Sequence, residues 1–471
     1  MQKGGARSAI IQKLRVNIMT DQPGRIKSLR PRDPQNQPPS QPPSTRKGNL
    51  WYPSPLRTLE DTGLSKLALA DLVLKVLYSS GDLTGHQISD VVRLPYTGVL
   101  DKVVEFLKRE KLVDIVGSGG IGEASYRYMI TSMGIDKALE AMRKTQYVGP
   151  APVPYHDYLD AMRAQNREKI NVHQADLRRI MTDLVISDEM LSKIGPAVNS
   201  GTSIFLYGPP GNGKTTIAEK VGRMILGDDM WIPYAFEVDG SIIQLFDSVN
   251  HEISDDQSIP KQETGTVPDP RWIKIRRPMI MVGGELTIAG LDLVFDEMAN
   301  IYEAPFQVKA NGGMFLIDDF GRQQVRPVDL LNRWIVPLEK GVDFLTLANG
   351  RKIEVPFQVM IVFSTNMDPK DLVDDAFLRR IRYKIEVGNP TFEQYRDLFK
   401  IMCKVKGIPY DEQGLAYLLR EWYINADRDL RFVHPRDLLT QLIDIANYLD
   451  VPARLTKDLI DRAAASYFVE L

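Results

Sequence analysis

The feature that most constrains this 471-residue chain is a junction near its middle. A short apolar run, Ile204-Phe205-Leu206-Tyr207, leads into Gly208-Pro209-Pro210-Gly211-Asn212-Gly213-Lys214-Thr215-Thr216. Helical apolar spacing follows from Ile217 to Ile225. This is G-x-x-x-x-G-K-[ST] in a strand–loop–helix setting. The glycines let backbone N–H groups turn inward, and the N-terminus of the next helix adds its dipole, so the loop makes a cradle for phosphate. Lys214 is expected to reach the β- and γ-phosphates of ATP, and Thr215 to ligate Mg²⁺.

Four further elements follow in order. Met314-Phe315-Leu316-Ile317 reads as a buried parallel strand that ends in Asp318-Asp319. Ligands bind at the C-terminal ends of such strands, so Asp318 is expected to hold Mg²⁺ through its water shell and Asp319 to orient an attacking water. Val359–Thr365 is a second buried strand, ending at Asn366, which is placed to bond a γ-phosphate or that water. Asp374-Asp375-Ala376-Phe377-Leu378-Arg379-Arg380-Ile381 offers two arginines; one read in this way stabilises the γ-phosphate of a neighbouring subunit. His434-Pro435-Arg436-Asp437-Leu438 opens a C-terminal helix from which Arg436 is expected to reach back to the phosphates.

These elements, in this order, resemble the AAA+ ATPases over about Leu184 to Leu471. The resemblance makes Gly208–Thr216 a Walker A motif, Met314–Asp319 a Walker B motif, Asn366 sensor 1, Arg379 or Arg380 the arginine finger and Arg436 sensor 2. It implies a parallel α/β sheet flanked by helices over residues 184–390 and a helical lid over 391–471. It also implies ATP and Mg²⁺ as cofactors, and a homo-oligomeric ring, usually a hexamer, whose sites are completed by the neighbour's arginine. Two stretches narrow the group. Pro268–Val282, with Trp272-Ile273-Lys274-Ile275, reads as an inserted hairpin beyond a strand at Ala235–Val238, and Phe344–Pro356 turns at Ala348-Asn349-Gly350 as another. Such insertions are similar to those of the branch that holds MoxR-like chaperones, enhancer-binding activators and minichromosome helicases. The Ala310-Asn311-Gly312-Gly313 approach to Walker B is similar to the first two, but no GAFTGA-like loop lies between Gly240 and Gly313. One departure stands out: Walker B usually ends Asp-Glu in this family, and Asp319 sets its carboxylate back by about 1.5 Å, a displacement to which catalysis is sensitive.

Ahead of the ATPase region, residues 1–48 carry ten bases and two acids, a charge of +8 within a chain whose net charge is −2. This tail, together with the Pro/Gln/Ser-rich run to Pro55, is expected to be disordered (residues 1–55), and Met19-Thr20-Asp21 offers a second start. Residues 56–146 read as helix (Leu64–Tyr78), short helix (Ile88–Val92), longer helix (Val99–Leu107) and a hairpin of Leu112–Ile115 with Ser125–Ile130, an order that resembles a winged helix-turn-helix. Thr84–Tyr128 holds six bases and six acids, without the basic footprint of a DNA-binding face, so protein docking is the favoured use. Residues 147–183 read as a proline-stiffened linker and a helix. A single cysteine, Cys403, excludes an internal disulfide. No apolar run suits a membrane span or a signal core, and a cytoplasmic location is expected.

The leading expectation is therefore an ATP-hydrolysing ring that remodels protein complexes, similar to bacterial ATPases with chaperone-like activity, acting on a protein client. Two others stand beside it: a DNA-associated regulator or loader that uses the winged helix and tail, and a nucleotide-gated switch with weak hydrolysis, suggested by Asp319.

Overall fold

Trp51 and Tyr52 fall in the stretch expected to be disordered, yet both are packed. The computed structural model describes residues 51–166, 172–255, 257, 267–372 and 378–468; the rest of the expected tail, with its ten bases, lies outside the described residues. Tyr52 is 5% exposed, and the Trp51 ring meets Trp272 edge-on at 5.0 Å. Two large aromatic rings bury enough surface to offset the entropy of ordering a short segment, which a composition argument averaged over the Pro-rich run overlooks.

The first module is built as its apolar spacing predicts. Helix Lys66–Ser80 buries Leu69, Leu72, Val73, Val76 and Leu77. Strand β1 (Leu83–Thr84) ends at Thr84, which caps helix Gly85–Val92 in a reciprocal capping box with Gln87. Helix Asp101–Arg109 follows, and β2 (Val113–Ser118) and β3 (Tyr126–Ile130) form the hairpin, in the order β1-β3-β2. Thr131 caps a further helix, Ser132–Lys144, whose Ala138 and Ala141 are buried; Ala138 joins the core shared with Lys66–Ser80.

The expected linker is built into the fold. Val153–Pro154 form β4, parallel to β7, and helix Tyr155–Ala164 buries Tyr158, whose ring stacks on Phe236 at 4.5 Å. Proline is tolerated there because β4 is an edge strand. Beyond β5 (Ile204–Tyr207) and helix Lys214–Ile225 come β6 (Asp229–Pro233), β7 (Ala235–Val238), β8 (Ser241–Gln244), β9 (Trp272–Arg276), β10 (Met279–Val282), β11 (Val294–Asp296) and β12 (Ile301–Glu303). A five-stranded mixed sheet runs β11-β12-β8-β7-β4. The hairpin expected within Pro268–Val282 does not form. β9 pairs antiparallel with β6, and β10 joins the motif sheet, because Pro278 separates them and Ile280 and Val282 are buried. The second expected hairpin is present as β14 (Val342–Thr346) and β15 (Lys352–Pro356), turned through Gly350 at φ 81°.

The motif strands unite in one parallel sheet. β13 (Met314–Ile317), β16 (Met360–Thr365) and β17 (Tyr383–Glu386) join β5 and β10 in the order β10-β13-β16-β5-β17. Every residue of β13 and β16 is buried. Phe205 stacks on Phe363 at 5.7 Å, and Trp334, from helix Pro327–Lys340, meets Phe315 edge-on at 5.7 Å. Helices lie on both faces, and a four-helix lid (Phe392–Lys406, Glu412–Leu419, His434–Tyr448, Lys457–Tyr467) closes around its own core of Tyr395, Phe399, Leu415, Leu438 and Ile460. This is a parallel α/β sheet flanked by helices, with a phosphate-loop motif at the end of β5 and a C-terminal helical lid. Among the described residues no helix is long and apolar enough to cross a membrane.

One buried ion pair ties the first module to the insertion. Arg271 and Asp269 have side chains 1% and 4% exposed; Arg271 also donates to Thr62 O at 2.8 Å and Pro152 O at 3.1 Å. Arg271→Leu strands the Asp269 charge and two carbonyls, and is expected to cost about 3–5 kcal/mol, read as a lowered denaturant midpoint. The double variant Arg271→Leu/Asp269→Leu is expected to recover part of that loss.

Candidate nucleotide site

The phosphate loop lies where β5 ends. Gly208 takes φ 135°, and a Cβ there would sit 2.4 Å from Val387 O, so only glycine lets the loop pass β17's extension. Gly213, at φ 81°, opens helix Lys214–Ile225, and nothing lies within 4 Å of where its Cβ would be. The loop is thus closed on its outer side and open over the helix N-terminus, the shape that a phosphate group fills.

Five expected residues converge here. Lys214, 7% exposed, donates from Nζ to Gly208 O (2.8 Å), Pro209 O (3.0 Å) and Asn366 Oδ1 (2.6 Å), which uses all three of its donors. Burial holds its pKa below the usual lysine value, against the upward pull of Asp318 and Asp319 and with a push from Arg431. Asn366 turns its other amide atom to Asp319, Nδ2 to Oδ1 at 3.0 Å. Thr215 Oγ1 donates to Asp318 Oδ2 at 2.9 Å. Those two oxygens are the hard donors that a Mg²⁺ ion takes while keeping phosphate and water ligands, and among the described residues no group of three or more His, Cys, Asp or Glu forms an all-protein metal cage.

Asp319 has a left-handed backbone, φ 48°. For a non-glycine residue this costs about 1–2 kcal/mol, and the Asn366 bond, together with the Asp319 N–H donating to Asp318 Oδ1 at 3.0 Å, holds it there. With this backbone the shorter carboxylate meets Asn366.

Arg436 is on the wall of a cavity of about 590 Å³ that the loop residues Gly211, Asn212 and Gly213 also line; its side chain is 64% exposed, and its Nε donates to Asp437 Oδ1 at 2.8 Å. Arg380 Nε bonds Glu339 Oε1 at 2.6 Å within the same chain. Arg379 is exposed and, among the described residues, makes no ion pair. Residues 373–377 of that motif lie outside the described residues.

Sequence reasoning missed two parts of the site. The cavity lies between Leu184–Ser187, Met190 and Ile217 on one side and the lid residues Leu398 and Met402 on the other, a volume and lining suited to a small aromatic ligand group. The Leu184-Val185-Ile186 run ahead of the Ser187 helix cap was the signal. The lid segment Arg431-Phe432-Val433 lies on the loop: Val433 N donates to Gly211 O at 2.9 Å and Phe432 N to Asn212 Oδ1 at 3.2 Å. No motif announces it.

Residues 391–466, the lid, match a family model described as Domain of unknown function (DUF8689). No curated protein matches the chain. Among solved structures, the chain is similar to NtrX from Brucella abortus in complex with ADP (15% identity, TM-score 0.38, 72% of this chain and 68% of that one). It is also similar to the Thermotoga maritima RuvB Holliday junction branch migration motor (11% identity, TM-score 0.33, 65% and 74%).

His434 anchors the lid segment. It is 6% exposed, its Nδ1 meets Tyr423 OH at 2.9 Å, and Tyr423 OH meets Tyr395 OH at 2.8 Å. Burial, and then Arg431, push its pKa down to about 4, while Asp437 pulls the other way. The folded value lies below the unfolded one near 6.5, so the unfolded chain binds the extra proton between the two. Stability from this group is present in full above pH ~6.5 and is lost as pH falls toward about 4. His434→Gln is expected to flatten the fall in melting temperature between pH 7 and pH 5, followed by thermal denaturation.

Proposed function

We propose that the chain is an ATP-binding and ATP-hydrolysing motor that works as a homo-oligomeric ring and remodels protein complexes. The observation that carries this reading is the Lys214–Asn366–Asp319 chain of hydrogen bonds beside the Thr215–Asp318 pair. It brings a phosphate-binding cation, a γ-phosphate-sensing amide and a water-orienting carboxylate to one end of one sheet. ATP places its phosphates on the loop N–H groups and its base in the cavity beside Ile217. A Mg²⁺ ion would be held by Thr215 and Asp318 and would supply charge neutralisation on the phosphates. When the γ-phosphate takes the Lys214 ammonium, Lys214 gives up bonds within the loop; Asn366 keeps Asp319 aimed, and Asp319 orients the attacking water. Residues 56–146 serve as a winged-helix adaptor that docks protein: the charge-balanced stretch Thr84–Tyr128 and the exposed hairpin residues Ile115, Val116 and Ile121 suit apolar contact better than phosphate contact.

The test is steady-state ATP hydrolysis across protein concentration, with and without duplex DNA. Turnover is expected to rise with concentration, to ignore DNA and to fall by about 10²-fold or more in Lys214→Ala. Unchanged turnover in that variant removes the loop assignment, and stimulation by DNA moves the reading to a DNA-associated loader.

Arg379 is the arginine offered to the neighbouring subunit, because Glu339 already holds Arg380. Arg379→Ala is expected to lower kcat by about 10³-fold, and Arg380→Ala far less. Mixing Arg379→Ala with Lys214→Ala protein is expected to restore some turnover, since mixed rings contain sites with both groups intact. No recovery in the mixture argues against a shared site.

A further inference from the structure

Asn212 occupies a variable position of the phosphate loop, where the motif asks for no particular side chain, yet it is 3% exposed and fully engaged. Its Oδ1 accepts from Phe432 N–H at 3.2 Å, and its Nδ2 donates to Asn389 Oδ1 at 2.8 Å. The backbone N–H of Phe432 can only donate, so the orientation of the Asn212 amide is fixed by its partner. The two partners come from segments far apart in the sequence that meet at the phosphate loop. Asn389 lies between β17 and the Thr391 cap of the first lid helix, where the chain crosses from sheet to lid. Phe432 precedes the His434 helix on the lid's inner edge.

The loop backbone follows the same path. Gly211 O accepts from Val433 N–H at 2.9 Å, and a Cβ on Gly211 would lie 2.7 Å from Val433 Cγ1. Lid and loop are thus in van der Waals contact at the residue before Asn212 and hydrogen-bonded at Asn212 itself. From these contacts we infer that Asn212 is a positioning residue that sets the lid angle according to what the phosphate loop holds. The inference rests on the nucleotide reading above. A phosphate drawing on the loop N–H groups and on Lys214 shifts the 208–213 backbone. That shift carries Asn212, which pulls on the hinge at Asn389 and on the inner edge at Phe432 together. An alanine there leaves the loop backbone able to move and removes both pulls.

The experiment uses the full chain with cysteines placed at exposed Val405 in the lid and exposed Val328 in helix Pro327–Lys340, spin-labelled for distance measurement. Cys403 is buried and its pKa is raised to about 11 by burial, so it takes little label. Distances are compared without nucleotide and at saturating ADP, with ADP occupancy followed separately by a fluorescent ADP analogue. The labelled parent is expected to change its lid distance on binding. Asn212→Ala is expected to lose that change at full occupancy and to lower kcat by about tenfold with a smaller change in KM. Asn389→Ala, which removes the hinge-side bond and trims one residue of the cavity wall, is expected to show a reduced change at full ADP occupancy. Asn389→Asp keeps an acceptor for Asn212 Nδ2 and is expected to restore it. A lid change of full size in Asn212→Ala overturns the inference while leaving the nucleotide reading intact, and so does a parent that binds ADP with no lid change. A parent that binds no ADP overturns both.

Discussion

The Lys214 ammonium is the interaction on which the site depends. A buried cation must be paired or hydrogen-bonded, and Lys214 meets that requirement with two loop carbonyls and the Asn366 side chain. Asn366 in turn holds Asp319 in a backbone conformation that aspartate rarely adopts. The loop, the end of β16 and the end of β13 are therefore held by one group at the C-terminal edge of a sheet whose strands are themselves fixed by burial on both faces. Change the ammonium's partners and all three edges feel it. The sheet's apolar filling, with Phe205, Phe315, Phe363 and Trp334 in mutual contact, makes the strand ends stiff enough for that coupling to matter.

The lid depends on a second, drier network. His434, Tyr423 and Tyr395 link three of its segments by hydrogen bonds through the core, and Arg428 lies over the Phe468 ring at 3.9 Å. Because His434 begins the helix that carries Arg436 and directly follows Val433, the same network orients the part of the lid that touches the phosphate loop. Core packing in the lid and geometry at the nucleotide site are thus not separable by residue.

Much of this was legible in the sequence. Strands such as Met314–Ile317 announce themselves because four apolar residues ending in acids have few other uses, and the loop motif fixed its own strand and helix. The helices of the first module followed from apolar spacing. What was not legible depends on long-range partners. Trp272–Arg276 reads as a hairpin arm, but its partner, Asp229–Pro233, lies some forty residues back, and nothing local distinguishes that pairing from one with Met279–Val282. Val153-Pro154 reads as linker because proline dominates it, and only the edge of a sheet built from distant strands makes it a strand. The Arg431–Val433 contact carries no residue pattern, since two of its hydrogen bonds use backbone N–H groups that every sequence possesses. Arg379 and Arg380 read alike in the sequence, and only the fold shows Arg380 paired with the distant Glu339.

The first module shares its hydrophobic core with the mixed sheet: Ala235 of β7 and Ile242 of β8 pack among the leucines and valines of helix Lys66–Ser80 and its neighbours. Tethered adaptors sample many orientations, and the effective concentration of whatever they hold is set by linker length. Here there is no such length to vary. The β2–β3 hairpin is joined to the mixed sheet through close-packed side chains, so a displacement of the one is passed to the other and is not absorbed in a linker.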